Sequence, residues 1–164
     1  MPKTQLIQCC QTLEHNHKTI AFIESASSGY LSSQFSIYKN SGADILLGGL
    51  VSYDPSIKVS ILNISPQLIE RYTAESAEVT QAMAQQGKLL FTQADVIVAC
   101  TGLLKPGGSA TVDKPEGTFF ISILYQKQCY NFQYYLTGQP LSRLEQLTEL
   151  VAQEVDTLIT QPLK

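Results

Sequence analysis

The segment Ala94–Cys100 reads Ala-Asp-Val-Ile-Val-Ala-Cys, which is too apolar for a strand that keeps one face in water. Thr19–Ile23 is a second short run of this kind, so both segments predict strands that other elements cover on both faces. Apolar residues recur at helical spacing in the segments 4–15, 29–38 and 76–91, which alternate with these runs. The alternation predicts an α/β fold with three layers, α/β/α, in which helices cover both faces of a mixed parallel and antiparallel sheet.

Turn and cap residues predict the remaining elements. Gln126-Lys127 separates two segments rich in Phe, Tyr and Ile, and therefore predicts an antiparallel hairpin. Serine is a favoured N-cap, so we expect a serine of the turn 24–29 to cap the helix 29–38, and Ser76 to cap the helix 76–91. The other predicted elements are strands over 43–53, 117–125 and 128–137, and helices that begin at Pro55, Pro66 and Pro140.

Length and charge narrow the classes of function. A chain of 164 residues predicts one domain, 1–164, and its 44% of hydrophobic residues suffices for a core. Lys plus Arg is 11 and Asp plus Glu is 14, so the net charge of −3 argues against nucleic acid as the main ligand. Only two arginines occur, Arg71 and Arg143, so bidentate clamps for anions are scarce. Since no secretory signal or membrane-length apolar run is visible, and the cysteines lack metal spacing, we expect a cytoplasmic chain that contacts no membrane.

Two loops follow predicted strands at the edge where α/β sheets bind ligands, namely Glu24–Gly29 and Thr101–Gly108. Ser25 stands between a strand and a helix start, where amide donors and the helix dipole favour negative charge. Its hydroxyl therefore suits a nucleophile or an anion ligand. An ordinary N-cap is the alternative for Ser25, and Ser27 and Ser28 compete for both roles.

Lys58 and the glycines of the second loop complete the candidate chemistry. Lys58 can act as a general base only if burial lowers the pKa of its amine, and the alternative is a solvated surface lysine. Backbone amides around Gly102, Gly107 and Gly108 suit an oxyanion hole or a phosphate, although many strand-to-helix turns are also rich in glycine. No acidic residue stands at ligand spacing from the two histidines within 15–17, so no metal site is predicted.

Four segments, taken in chain order, resemble the motifs of the CinA C-terminal domain family. The first two are Ala21–Gly29, which is similar to A-E-S-C-T-G-G, and Gly48–Tyr53 with Lys58, which is similar to G-G-V-V-x-Y-x-x-x-x-K. The other two are Ala74–Thr80, which is similar to A-V-S-x-E-V, and Thr101–Gly108 followed by Lys114–Thr118, which is similar to T-G-I-A-G-P-x-G-G and K-P-x-G-T. The match in order and spacing extends over nearly the whole chain.

The resemblance implies a nicotinamide-nucleotide amidase, which hydrolyses the carboxamide of nicotinamide mononucleotide to nicotinate mononucleotide and ammonia without a metal or another cofactor. Ser25 corresponds to the nucleophile of that family, Lys58 to its general base, and Thr101 to a threonine beside the reacting groups. The tyrosine-rich hairpin indicates a subunit interface, so we expect a homo-oligomer. The residues expected to bind the nucleotide substrate are Glu24, Ser27, Ser28, Gly29, Tyr53, Gly102, Lys105, Gly107 and Gly108.

The chain departs from the family pattern around this predicted dyad. Ser28 replaces a glycine, Leu104-Lys105 replaces Ala-Gly, and Glu75 replaces a valine. Glycine in such loops is typical of a positive φ or of a close approach to a ligand, and a side chain hinders both. Two outcomes are open: either Lys105 has taken over phosphate binding and the activity is retained on the same or a shifted substrate, or the domain is a non-catalytic module that binds a nucleotide or a partner.

Overall fold

The computed structural model describes residues 2–161. These residues contain six helices and five strands. In chain order they are α1 (Thr4–His15), β1 (Ile20–Glu24), α2 (Tyr30–Tyr38), β2 (Leu46–Val51), α3 (Pro55–Ser60), α4 (Pro66–Tyr72), α5 (Ala77–Leu90), β3 (Val96–Gly102), β4 (Thr118–Tyr125), β5 (Gln128–Tyr135) and α6 (Pro140–Thr160). Met1 and residues 162–164, the two ends of the predicted domain, lie outside the described residues.

The five strands form one mixed sheet in the order β2-β1-β3-β4-β5. β1 pairs in parallel with both β2 and β3, whereas β4 and β5 continue the sheet in antiparallel pairing. Glu24, the last residue of β1, lies opposite Val51 of β2 and Cys100 of β3, so the three parallel strands end at one edge. The strands β2 and β3 lie on opposite sides of β1, so the direction in which the sheet grows along the chain reverses at β1. Such a reversal opens a crevice beyond the strand ends, where ligands bind in sheets of this kind.

Hydrophobic clusters on both faces of the sheet confirm the predicted α/β/α layers. Ile20 and Phe22 of β1 pack with α1, α2 and α6, while Ala21 and Ile23 pack with α5 on the other face. This alternation follows from the two-residue period of side chains along a strand. Phe22 is fully buried, and burial of a side chain of this size contributes about 2 kcal/mol relative to exposure.

Helix α5 approaches the sheet closely at Gly87. A Cβ atom at this position would lie 2.5 Å from Cγ1 of Ile23, well inside van der Waals contact. The missing side chain therefore lets the α5 backbone lie close to β1. Because α5 also carries Thr80, this packing fixes that residue beside the end of β3, where its hydroxyl contacts Thr101.

Two turn and cap predictions are confirmed, and one strand is shorter than expected. Gln126 and Lys127 have φ values of 51° and 68°, as a two-residue hairpin turn requires. Ser76 caps α5, since its Oγ accepts a hydrogen bond of 3.2 Å from the amide of Val79. β2 spans only six residues of the predicted 43–53, because residues 41–45 form turns before it and Asp54 already caps α3 after it. None of the helices within residues 2–161 combines the length and apolar character of a membrane span.

Candidate functional site

The turn after β1 presents Ser25 at the edge where the parallel strands end. The amide of Ser25 donates to the carbonyl of Cys100 at 3.0 Å, which extends the pairing of β1 with β3 by one residue. The amide of Ser28 donates back to the carbonyl of Ser25 at 3.0 Å and closes a tight turn. Ser28 and Gly29 have φ values of 49° and 91°, so this turn places a serine in a left-handed conformation that favours glycine.

Glu24, rather than a serine, caps helix α2. Its Oε1 accepts from the amide of Leu31 at 2.9 Å, and its Oε2 accepts from the amide of Ser32 at 3.1 Å. Gly29 occupies the N-cap position and has no side chain to offer. The expectation of a serine cap is therefore wrong, because the left-handed turn at Ser28 and Gly29 separates the serines from the first amides of the helix. The longer side chain at the end of β1 reaches those amides instead.

Lys58 lies on α3, a short helix that is initiated by the residues at its N-terminal end. Pro55 occupies the first turn, and the side chain of Asp54 accepts from the amide of Ser56 at 2.9 Å. The helix directs Lys58 into the protein, where none of its surface is exposed. The alternative of a solvated surface lysine is therefore wrong.

The amine of Lys58 contacts three oxygen atoms. Its Nζ lies 2.8 Å from Oγ of Ser25, 2.5 Å from the carbonyl oxygen of Ser52 and 3.4 Å from that of Tyr53. The structure thus brings together the two residues of the predicted dyad at hydrogen-bond distance.

Burial lowers the pKa of Lys58 below its ordinary value, because the ammonium loses hydration, while Glu75 and Asp54 oppose this shift. A neutral amine has two N–H donors and one lone pair. An ammonium would donate to Ser25, whereas in a neutral amine the two N–H groups can donate to the carbonyls of Ser52 and Tyr53, which leaves the lone pair for the hydroxyl proton of Ser25. A neutral Lys58 in this geometry can accept that proton and make the serine oxygen nucleophilic.

The hydroxyl of Thr101 begins a chain of hydrogen bonds that leads away from the dyad. Its Oγ1 lies 2.8 Å from Oγ1 of Thr80, which in turn donates to the carbonyl of Ser76 at 2.6 Å. Because the hydroxyl of Thr80 has only one proton, it must accept from Thr101. No hydrogen bond joins Thr101 to Ser25 or Lys58 within the described part of the chain. Thr80 lies one helical turn after the Ser76 cap and was not among the residues expected at the site.

A cleft opens beside these groups. Two of its walls are Ala26 and Gly102, which follow Ser25 and Thr101 in the chain. Its volume of about 170 Å³ is below the roughly 300–1,000 Å³ of an enclosing ligand pocket, so a nucleotide would project from it. The predicted substrate-binding residues that line the cleft are Tyr53, Gly102, Lys105, Gly107 and Gly108, and the other lining residues are Ala26, Glu75, Leu103, Leu104 and Pro106.

The other predicted substrate-binding residues belong to the turn 24–29 and do not line this cleft. Both carboxylate oxygens of Glu24 are occupied by the amides of α2. Ser27 is buried, and its hydroxyl has no hydrogen-bond partner among residues 2–161. Ser28 is exposed, and Gly29 begins the helix.

Lys105 is exposed at the cleft, on a loop whose backbone is not strained at this position. Neither Leu104 nor Lys105 has a positive φ, so the expectation of a left-handed backbone here is wrong, while a close approach to a ligand stays a prediction. The left-handed conformations fall instead at Gly107 and Gly108, with φ values of 102° and 61°. The loop therefore makes its tight turn two residues later and accepts the larger side chains before it.

The family model of the CinA C-terminal domain matches residues 3–159. The chain belongs to the CinA C-terminal domain family. A CinA-like protein from Thermotoga neapolitana is 37% identical over 123 residues, which are 73% of this chain and 29% of that protein. A CinA-like protein from Desulfotalea psychrophila is 38% identical over 112 residues, which are 68% of this chain and 26% of that protein. The chain thus spans less than a third of the length of these relatives.

Solved structures of CinA proteins share the fold. A competence or damage-inducible protein from Enterobacter asburiae has a TM-score of 0.85 at 22% identity, over 95% of this chain and 96% of that chain. A CinA superfamily protein from Klebsiella pneumoniae has a TM-score of 0.86 at 18% identity, over 95% of this chain and 96% of that chain. These structures confirm the predicted α/β architecture with its mixed sheet.

In this CinA domain, an arginine outside the motifs anchors the cleft loop. Arg143 of α6 donates to the carbonyl of Leu104 at 2.7 Å and forms an ion pair of 2.6 Å with Glu116. Most of the Arg143 side chain is buried, so these contacts operate with little competition from water. The sequence offered no signal for this role, because the partners lie 39 and 27 positions away.

The segment before α5 holds the other side of the same loop. Nζ of Lys114 donates to Oγ1 of Thr73 at 2.7 Å and to the backbone carbonyl of Glu75 at 2.8 Å. Oγ of Ser109 donates to Oε2 of Glu75 at 2.6 Å. Lys114 opens the segment that resembles K-P-x-G-T, so this part of the motif has a structural task in positioning the cleft wall.

Proposed function

We propose that this CinA domain hydrolyses the carboxamide of nicotinamide mononucleotide and releases nicotinate mononucleotide and ammonia. The observation that carries the proposal is the 2.8 Å contact between Ser25 and a fully buried Lys58. Lys58 forms no ion pair with any other residue of 2–161, so its burial has no structural salt bridge to explain it. A desolvated amine beside a hydroxyl is one arrangement that activates a serine nucleophile.

The reaction follows from the two groups in turn. Oγ of Ser25 forms a bond to the carboxamide carbon while its proton moves to Nζ of Lys58. Collapse of the tetrahedral adduct breaks the C–N bond, and Lys58 returns the proton to the departing nitrogen, which leaves as ammonia. Water then attacks the acyl ester with Lys58 as its base, which frees the nicotinate carboxyl group and restores the hydroxyl of Ser25.

The oxyanion of the tetrahedral adduct needs donors close to the nucleophile. The amide of Ala26 donates to no other described residue, lies directly after Ser25, and belongs to a residue of the cleft wall. An amide in the position after the nucleophile is a common oxyanion donor in serine hydrolases. We assign this role to the amide of Ala26.

In the proposed complex, the cleft of about 170 Å³ holds part of the nucleotide, and the remainder projects from it. The ring carboxamide lies at Ser25, and the phosphate lies toward Lys105, Gly107 and Gly108, where one ammonium group and the backbone amides supply donors. Such a phosphate site needs no arginine, which agrees with the use of Arg143 inside the loop.

One observation favours a second candidate, a domain that binds a nucleotide without turnover. Ser25 is only 8% exposed and does not itself line the cleft, whereas a nucleophile must be reached by its substrate. Under this alternative, Lys58 and Ser25 stabilise the strand ends and the cleft serves recognition alone.

Ammonia release from nicotinamide mononucleotide separates the two candidates. We expect release by the purified protein and a loss of at least about 10³-fold in Ser25→Ala and Lys58→Met, because a dyad acts as a unit. Ser36→Ala, at an exposed serine of α2, and Lys18→Met, outside the site, are matched controls that keep the activity. A rise in Tm with the nucleotide but no ammonia at high protein concentration would establish the binding module instead.

A further inference from the structure

The cleft of this domain contains a carboxylate beside the proposed reaction centre. Glu75 lines the cleft, at the position where the resembling motif has valine. Its Oε2 accepts a hydrogen bond of 2.6 Å from Ser109. The group is half-buried, so water screens its charge less than at an open surface.

No cation pairs directly with this carboxylate within residues 2–161, where the one ion pair joins Arg143 to Glu116. Lys114 lies nearby, but its Nζ donates to the backbone carbonyl of Glu75 and to Thr73. Glu75 also raises the pKa of Lys114, so the two charges interact, but Oε1 of Glu75 accepts no hydrogen bond within the described residues and is available to a ligand in the cleft. The charge of Glu75 also raises the pKa of Lys58, which indicates that its field extends to the dyad.

An aromatic ring lies in the same cleft. Tyr53 lines it and is 57% exposed, so the ring has a free surface for a ligand. Aromatic faces attract cations, and so does a carboxylate. Lys105 and the glycine turn supply positive charge and amide donors on the loop. The cleft thus combines groups that attract a cation with groups that attract an anion.

We propose that Glu75 is a specificity-determining residue that makes the cleft select a carboxamide on a positively charged aromatic ring over the same carboxamide on an uncharged ring. The inference rests on the proposed amidase function, since it places the reacting carboxamide at Ser25. The substrate class is a zwitterion, with a pyridinium ring recognised by Glu75 and Tyr53 and a phosphate recognised by the loop that carries Lys105. The field of Glu75 acts on both the bound ring and the oxyanion, so its net effect depends on the charge of the ring.

Two nucleotides that share the ribose phosphate and the carboxamide but differ in the charge of the ring test this inference. Nicotinamide mononucleotide has a pyridinium ring, and its dihydro form has the same ribose phosphate with an uncharged ring. We would measure kcat/KM for both with the wild type, Glu75→Gln and Ser109→Ala. Glu75→Gln retains an oxygen acceptor for Ser109, while Ser109→Ala removes the same hydrogen bond and leaves the charge.

We expect the preference for the charged ring to fall by about tenfold in Glu75→Gln and to stay unchanged in Ser109→Ala. The comparison of ratios between variants cancels the different intrinsic reactivity of the two rings. The same shift is expected in dissociation constants measured calorimetrically on Ser25→Ala proteins. The inference is overturned if Glu75→Gln leaves both the ratio of kcat/KM and the ratio of dissociation constants for the two nucleotides at their wild-type values. It is also overturned if Ser109→Ala shifts these ratios as much as Glu75→Gln does.

The failure of the proposed function gives a different result. If neither nucleotide releases ammonia, the amidase is rejected, yet the binding measurements still report the discrimination. Charge-dependent binding that Glu75→Gln removes then supports the specificity role in a binding domain. Turnover of both nucleotides without any effect of Glu75→Gln on their ratio rejects the specificity role and leaves the amidase intact.

Discussion

The Nζ atom of Lys58 lies 2.8 Å from Oγ of Ser25, although 33 positions separate the two residues in the chain. The ends of two parallel strands bring them together. The amide of Ser52 donates to the carbonyl of Glu24 at 2.8 Å, so the chain after β2 is fixed against the end of β1. The carbonyl of Ser52 then accepts from Lys58, which aligns the amine with the serine one residue after Glu24. The dyad therefore depends on strand pairing more than on either local loop.

The lowered pKa of Lys58 predicts an activity that rises with pH. Burial disfavours the ammonium form, and only the neutral amine can accept the proton of Ser25. The logarithm of kcat/KM should rise by about one unit per pH unit while Lys58 is mostly protonated, and level off above its pKa. Because this pKa is lowered, the plateau should begin below the usual range of a lysine. Ammonia release measured across pH checks this expectation.

The variant Glu75→Gln tests the same pH profile, because it should shift the pKa of Lys58 in a known direction. The carboxylate of Glu75 raises the pKa of Lys58, so Glu75→Gln should move the start of the plateau to lower pH. The loop contact with Ser109 can persist in this variant, which separates charge from packing. An activity that falls as the pH rises toward the usual range of a lysine, or a plateau that moves to higher pH in Glu75→Gln, contradicts the assignment of Lys58 as the base.

The hydrogen bond from Thr101 to Thr80 predicts a measurable role for Thr80. Thr80→Val keeps the shape of the side chain but leaves the buried hydroxyl of Thr101 without its acceptor. An unsatisfied buried hydroxyl costs about 1–3 kcal/mol in the free energy of unfolding. If Thr101 contributes to the reaction through its orientation, kcat should fall while KM changes little.

Thr80→Ser is the matched control, because it restores the hydroxyl and removes only a methyl group. We expect the free energy of unfolding, measured in urea, and kcat to return toward the wild-type values in this variant. Equal stability of Thr80→Val and the wild type would show that the chain from Thr101 to Ser76 has no energetic weight.

Local sequence patterns predicted most of the fold, because the elements that they predicted are determined by interactions between residues that are close in the chain. The apolar runs of β1 and β3, the cap at Ser76 and the turn at Gln126-Lys127 each depend on neighbouring residues. The cap of α2 could not be predicted this way, since it comes from Glu24, seven positions before the amide of Leu31. A serine rule covers only side chains that lie directly at the helix start.

The candidate site shows the same division. Resemblance to the family singled out Ser25 and Lys58, but the sequence alone could not distinguish a buried amine from a solvated one. The burial of Lys58 results from the packing of α3 on the strand ends. The contacts of Arg143 and Thr80 also join distant segments, so no spacing in the sequence revealed them.

The cap at Glu24 predicts a stability effect at the edge of the candidate site. Glu24→Ala removes the acceptors of two amides at the start of α2, one of which is buried. Loss of a capping side chain costs about 1–2 kcal/mol, measured as the free energy of unfolding in urea. Glu14→Ala, where the carboxylate accepts a hydrogen bond from an exposed Asn40, should cost less than about 0.5 kcal/mol. Equal losses in the two variants would contradict the capping role.

The backbone at Ser28 predicts that one substitution stabilises the domain. Ser28 has a φ of 49°, and a left-handed conformation costs a residue with a side chain about 1–2 kcal/mol. Ser28→Gly relieves this strain but adds about 0.4–1 kcal/mol of chain entropy to the unfolded state. We therefore expect a net gain of about 0.5–1 kcal/mol in urea unfolding. Ser36→Gly is the matched control, because this exposed serine of α2 has no positive φ and a glycine there only adds flexibility, so this variant should be less stable than the wild type. A loss of stability in Ser28→Gly as large as in Ser36→Gly would contradict the strain at this turn.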